Sequence, residues 1–191
     1  MLPASCLNRW IKSQIMSEID WILKRRSIRQ FTEQEVTSDQ ITLLLEAAMA
    51  APSAMNLKPW KFVVVTSEER LNQLRKALPF GKMGAPCAIV VCGDLRSFKR
   101  AVQERFWVQD CSAATQNILL AATTLGLGTV WCGVHPISRI ENAVGNALEI
   151  PEGVIPLNVI FVGYPAEEKP TRTQYSEKNV FTDRFDNPRN L

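Results

Sequence analysis

The sequence predicts a three-layer sandwich in which helices cover a central sheet, either α/β or α+β. Three observations predict it. Five segments carry helical periodicity, four short apolar runs have strand composition, and the two kinds alternate along the chain. The alternation alone favours a parallel sheet, because parallel neighbours need a crossover between them. At 191 residues the chain is long enough for one domain with a sizeable core.

The first helix runs from a Ser17 cap to about Lys24, with Ile19, Ile22 and Leu23 apolar. "TSDQITLLLEAAMAA" opens the second with Thr37 and Gln40 in capping-box spacing. Ile41, Leu44, Leu45 and Ala48 then mark one buried face. The third starts at Ser67 and buries Leu71, Leu74 and Leu78. "QDCSAATQNILLAATTLGLG" reads as a long helix capped near Asp110 and stopped by Gly126 or Gly128. Apolar or small on nearly every side, it is expected at the centre of the fold. "SRIENAVGNALEI" repeats the capping box with Ser138 and Glu141. The strands are "WKFVVVT", "CAIVVCGD", "GTVWCGV" and "PLNVIFVGYP", which lack polar alternation and so read as buried on both faces. The polar tail from Glu167 has no periodicity.

Composition excludes several function classes. Hydrophobic residues make up 46 % and charged residues 21 %, with a net charge of +3 and a pI of about 8.7. A nucleic-acid binder shows a denser cationic stripe; here the one cluster is Lys24, Arg25, Arg26 and Arg29. No apolar run reaches the length of about 18 residues that spans a bilayer. Arg9, Lys12, Glu18 and Asp20 break up any signal-peptide core. Residues 1–16 read as an extension before a domain over 17–191, with Met16 as an alternative start. The five cysteines and single histidine, His135, have no CxxC or HxxxH spacing, which speaks against zinc. The thiols are expected to be reduced core residues of a cytoplasmic protein.

Three motifs carry chemistry. In "KRRSIRQF", cations at a helix C-terminus answer its partial negative charge, yet Ser27 and Arg29 follow the helix. Arginine forks beside a hydroxyl also suit a phosphate. "GLGTVWCG" lies after a helix and before a strand, the reverse of a Rossmann fingerprint, so no glycine-rich loop holds a nucleotide phosphate. "APSAMNLKPW" combines Pro52, Ser53, Asn56 and Pro59. Such residues make a helix-to-strand connector, or a rigid loop offering donors and acceptors to a planar heterocycle.

Together "RRSIRQF", "AAMAAPSAMNLKPWKFVVV", "WVQDCSAATQNILLAATTLGLGTVWCGVHP" and "VIPLNVIFVGYPAEEKPTR", in this order, resemble the FMN-dependent nitroreductase family over about residues 17–185. The resemblance implies an α+β fold, a three-layer sandwich with a mixed, mainly antiparallel sheet, in place of the parallel one. It implies a homodimer with FMN at two interface sites. Pro52, Ser53, Ala54, Met55 and Asn56 would contact the flavin. Arg25, Arg26, Ser27 and Arg29 would serve the phosphate and flavin edge, and Trp131, Cys132 and Gly133 would flank the ring with a backbone N–H near N5. Arg172 would meet the phosphate, with Gln174 standing where many members have a second cation. The implied reaction is ping-pong: NADH or NADPH reduces FMN, and a small-molecule acceptor such as a nitroaromatic or quinone is reduced in the same pocket. No side chain is expected as catalytic acid or base, and Cys132 would act through its backbone. Two alternatives stand beside this. One is a specialised enzyme of the same fold (ene-reductase, reductive dehalogenase or flavin-destroying type). The other is a flavin-binding sensor without turnover. Neither nucleic acid nor membrane is an expected partner.

Overall fold

The computed structural model describes residues 19–96, 98 and 104–188. The expected extension over 1–16 and the Ser17 cap lie outside them. Contacts divide the chain into Arg25–Lys169 and a unit drawn from the two ends, Met1–Lys24 with Pro170–Leu191.

The terminal unit contains helix α1 (Asp20–Lys24), closed by an i,i+4 ion pair between Lys24 and Asp20. Its tail is irregular apart from a 3₁₀ turn at Glu177–Asn179, and the Phe181 and Phe185 rings meet at 4.6 Å.

Within Arg25–Lys169 the elements are α2 (Ser38–Met49), a 3₁₀ turn (Ala54–Asn56), β1 (Trp60–Val65), α3 (Glu68–Ala77), β2 (Cys87–Asp94), α4 (Trp107–Thr124), β3 (Gly128–Gly133), α5 (Ser138–Leu148) and β4 (Val154–Gly163). The Thr37 capping box forms: Thr37 Oγ1 accepts from Gln40 N, and Gln40 Oε1 accepts from Thr37 N. Ser67 caps α3 through Arg70 N. The same signature at Ser138 does not close. Ser138 is the first helical residue after Ile137, and Glu141 bonds His135 Nδ1 at 2.6 Å instead. Helix α4 begins at Trp107, so Asp110 is a buried first-turn residue rather than the cap. Gly126 ends it with φ +71°, where a side chain is disfavoured.

The sheet order is β1-β2-β4-β3, and every pair is antiparallel. Alternation therefore misleads about direction. It shows that a helix lies between strands, but not where the chain re-enters. Val65 at the end of β1 pairs with Ala88 at the start of β2. Helix α3 carries the chain out, and residues 78–86 bring it back to the end it left. An isolated parallel bridge, Ser27 to Thr129, adjoins β3 outside the four strands.

Side chains of β2 alternate between two cores. Cys87, Ile89 and Val91 meet Leu44, Ala48, Ala114 and Ile118 of α2 and α4. Ala88, Val90 and Cys92 meet Leu71, Leu74, Ile140 and Val144 of α3 and α5. The α+β sandwich follows: a sheet buried on both faces with a helix pair on each. Full burial of each valine, leucine or isoleucine side chain among them contributes about 1.5–3 kcal/mol. Among the described residues no helix is long and apolar enough to cross a membrane, and no group of three His, Cys, Asp or Glu could hold a metal. Cys87, Cys92 and Cys111 are buried free thiols, and Cys132 is half-buried.

Candidate functional site

Strand β3 is an edge strand, and its outer side is where a site can be built. Ile28 N donates to Thr129 O at 2.9 Å across the Ser27 bridge. The Thr129 carbonyl thus points away from β4. By the two-residue period of a strand, the N–H and C=O of Trp131 and Gly133 point the same way.

Beside this edge lies a cavity of about 850 Å³, within the usual range for small-molecule sites. Trp131, Cys132 and Gly133 form one wall, and Arg29 reaches it from the segment bridged to β3. Residues that the motifs did not indicate complete it: Lys82 and Met83 from the return segment between α3 and β2, and Ile140 from α5. The arrangement combines two cationic side chains, an apolar floor and an aromatic ring beside unpaired strand backbone. It can accept a flat, partly apolar molecule bearing negative charge.

The Arg29 segment is tied down. Buried Ile28 turns its neighbours outward. Glu167 Oε1 accepts from Arg29 N at 2.6 Å and Gln30 N at 3.3 Å, while Lys169 Nζ bonds Glu167 at 3.0 Å and Ser27 O at 2.6 Å. The Arg29 N–H, then the Lys169 ammonium, hold the Glu167 carboxyl below its ordinary value. Arg25, Arg26 and Ser27 are half-buried and do not line the cavity.

Cys132 faces the cavity as a thiol. Burial pushes it up to about 11, with Arg29 opposing weakly, so it is neither a thiolate nor a nucleophile at neutral pH. Beyond the strand end, the His135 ring meets Trp107 edge-on at 4.8 Å and bonds Glu141, joining β3 to α4 and α5. Asn158, the partner of Gly133 on β4, is fully buried and donates through Nδ2 to Thr115 Oγ1 at 2.9 Å.

The Pro52–Asn56 loop lies elsewhere. None of its residues lines the cavity, and the flanking Ala51 and Trp60 belong to the α2/α4 core. It folds as a 3₁₀ turn in which Met55 and Asn56 have φ +52° and +55°, and Lys58 follows at +52°. For Met55 and Lys58 this costs about 1–2 kcal/mol each, whereas asparagine adopts it more readily. Ser53 Oγ accepts from Lys58 N at 3.0 Å, and Ala54 N donates to Asp110 Oδ1 at 2.9 Å. Pro52, Met55 and Asn56 are exposed. Arg172, also exposed, belongs to the terminal unit. Of the thirteen residues expected at the site, one chain therefore gathers Arg29, Trp131, Cys132 and Gly133 into a cavity and sets the loop apart on another face.

Comparison with known proteins bears on what such a site serves. A sequence model described as the nitroreductase family matches residues 22–80 and 78–164. A protein of Methanothermobacter thermautotrophicus, provisionally named an NADH dehydrogenase/NAD(P)H nitroreductase, is 43 % identical over 172 residues, 89 % of this chain and 88 % of its own. The FMN reductase (NADPH) of Bacillus subtilis is 30 % identical over 193 residues, 87 % of this chain and 76 % of its own. A crystal structure from Desulfovibrio desulfuricans, of a provisionally named nitroreductase in complex with FMN, superposes with a TM-score of 0.73 at 30 % identity, covering 87 % of this chain and 96 % of that one.

Proposed function

The chain belongs to the nitroreductase family, and from that premise we propose that it is an FMN-dependent oxidoreductase. It takes hydride from NADH or NADPH and delivers it to a nitroaromatic, quinone or similar electrophilic acceptor, the two substrates using one pocket in turn. The observation that carries this reading is the cavity on the outer edge of β3, where cations, apolar surface and unpaired backbone donors meet. These groups fit FMN, which has a flat ring system and a terminal phosphate.

When bound, FMN supplies a two-electron carrier, so the protein's share is binding, orientation and electrostatics. Arg29, whose backbone is held by the Glu167–Lys169 tie, presents a cation at the cavity. Arg25, Arg26, Ser27 and Arg172 complete a phosphate site in this proposal. The outward N–H groups of β3 offer donors near the reactive edge of the ring, and the Cys132 side chain takes no part. The exposed loop Pro52–Asn56 meets the flavin through a second copy of the chain: a homodimer joins the β3 cavity of one protomer to the loop of its partner, giving two equal sites. Its reduced thiols suit a cytoplasmic setting.

The test is a stopped-flow acceptor screen. The protein is reduced anaerobically and mixed with quinones, nitroaromatics and free flavin, and bound FMN is followed by its absorbance. Reoxidation by at least one class, saturating with acceptor concentration, is expected. A protein that binds FMN but is not reoxidised by any of them would be a sensor or store, contrary to this reading.

A further inference from the structure

The strained turn at Ala54–Asn56 poses a question that the cavity does not answer. Two successive residues with side chains hold left-handed backbone, and a third follows at Lys58. Such strain persists only where the surroundings enforce it. The turn's internal bonds, Asn56 N to Ser53 O at 3.0 Å and Leu57 N to Ala54 O at 3.1 Å, close it locally but fix it to nothing. A bond to a separate element comes from Asp110, whose Oδ1 accepts from Ala54 N at 2.9 Å.

Asp110 is an unusual residue for that task. It is 6 % exposed, in a helix made largely of small and apolar residues. Burial pushes its carboxyl up, while the Ala54 N–H draws it down. Its place in the first turn of α4 offers a favourable helix end for negative charge. The helix itself is well anchored: Trp107 packs in the core against Gly93 and His135, and Asn117 Nδ2 bonds Ala47 O of α2 at 2.8 Å. A buried carboxylate on a well-packed helix, aimed at one backbone N–H, is a reference point for the loop.

We propose that Asp110 is a positioning residue: it holds the Ala54–Asn56 turn in its strained shape before any ligand arrives, so that the loop meets the cofactor ready-formed. The role rests on the proposed FMN site, to which the loop contributes, and it acts through Ala54 N rather than by touching the flavin. Preorganisation of this kind acts on affinity, since binding need not then supply the ordering of the loop.

Two substitutions separate this from a purely structural role. Asp110→Leu removes the acceptor and also relieves the burial of a charge. Asp110→Asn keeps an acceptor oxygen in the same place. Amide hydrogen exchange at Ala54 is read in the FMN-free protein, and FMN affinity by titrating that protein with FMN. In the leucine variant Ala54 should exchange about 10–100-fold faster, as loss of a charge-assisted hydrogen bond implies. FMN should bind about 10-fold more weakly or worse. Asparagine should restore both readouts most of the way. Unchanged Ala54 exchange and parental FMN affinity in the leucine variant would overturn the proposal. So would an asparagine variant as impaired as leucine, since charge rather than the acceptor would then matter. If the parent itself failed to bind FMN, the functional reading would fall, while Ala54 exchange would still decide whether Asp110 holds the turn.

Discussion

Substituting Gly93→Ala should disturb the framework of the site from a distance. A Cβ built at Gly93 would stand 2.3 Å from Trp107 Cε3, 2.9 Å from Cδ2 and 3.0 Å from Cζ3. Carbon atoms pack best at about 3.5–4.0 Å, so the indole must retreat by roughly an ångström. It has little room: Trp107 is 5 % exposed and its ring abuts His135. Overpacking a filled core costs about 1–3 kcal/mol. For a chain of this length that lowers the melting temperature by about 2–12 °C. Because Trp107 starts the helix turn that contains Asp110, the variant should also hold the Ala54 loop less firmly. The assay is thermal melting of Gly93→Ala, Trp107→Leu and the double variant. A smaller side chain at 107 leaves space for the methyl group, so the double variant should be more stable than additivity predicts by about 1 kcal/mol or more. A parental melting temperature for Gly93→Ala, or strict additivity, would refute the packing argument.

Arg172→Ala should weaken FMN binding about 10–100-fold at low salt, the loss of a charge-assisted hydrogen bond of about 1.5–3 kcal/mol; Gln174→Arg should tighten it by less, since an exposed charge is screened. Both are read by titrating FMN-free protein, and parental binding by Arg172→Ala would remove the tail from the phosphate site. Cys132→Ala should leave the rate of flavin reduction largely intact, because a thiol pushed up to about 11 is protonated at neutral pH; single-turnover reduction that slows greatly with flavin still bound would contradict this. Glu167 has a folded-state value below its ordinary one. Its stabilising effect is therefore full above the ordinary carboxylate value and is lost as pH falls through the folded value. Denaturation of parent and Glu167→Gln over a descending pH series should show a gap that narrows in acid, and a gap independent of pH would count against the assigned cause.

What the sequence reveals depends on whether a feature is local. Thr37 and Gln40 form their capping box because the Gln40 amide can serve both Thr37 N and the Tyr164 hydroxyl. Ser138 and Glu141 carry the same signature and do not, because His135 takes the Glu141 carboxylate. Strand and helix positions follow from periodicity, but strand direction does not. It depends on the return path that brings Ala88 beside Val65, and that path has no periodicity of its own. At the site, Arg29 and Trp131–Gly133 lie in motifs and meet in one cavity. Lys82 reaches the same cavity from an irregular segment with no motif to mark it. Asp110 is visible as a polar residue in a long apolar helix, yet reads as a cap. Only the start of α4 at Trp107 shows that its carboxylate is buried and turned toward Ala54.

The most direct test of the account is anaerobic addition of NADH, and separately NADPH, to the purified protein while the flavin absorbance is recorded. The account predicts a yellow protein whose heat-released cofactor chromatographs as FMN and whose colour bleaches within seconds with at least one of the two reductants. A colourless protein that cannot be reconstituted with FMN, or bound FMN that neither nucleotide reduces, would contradict it.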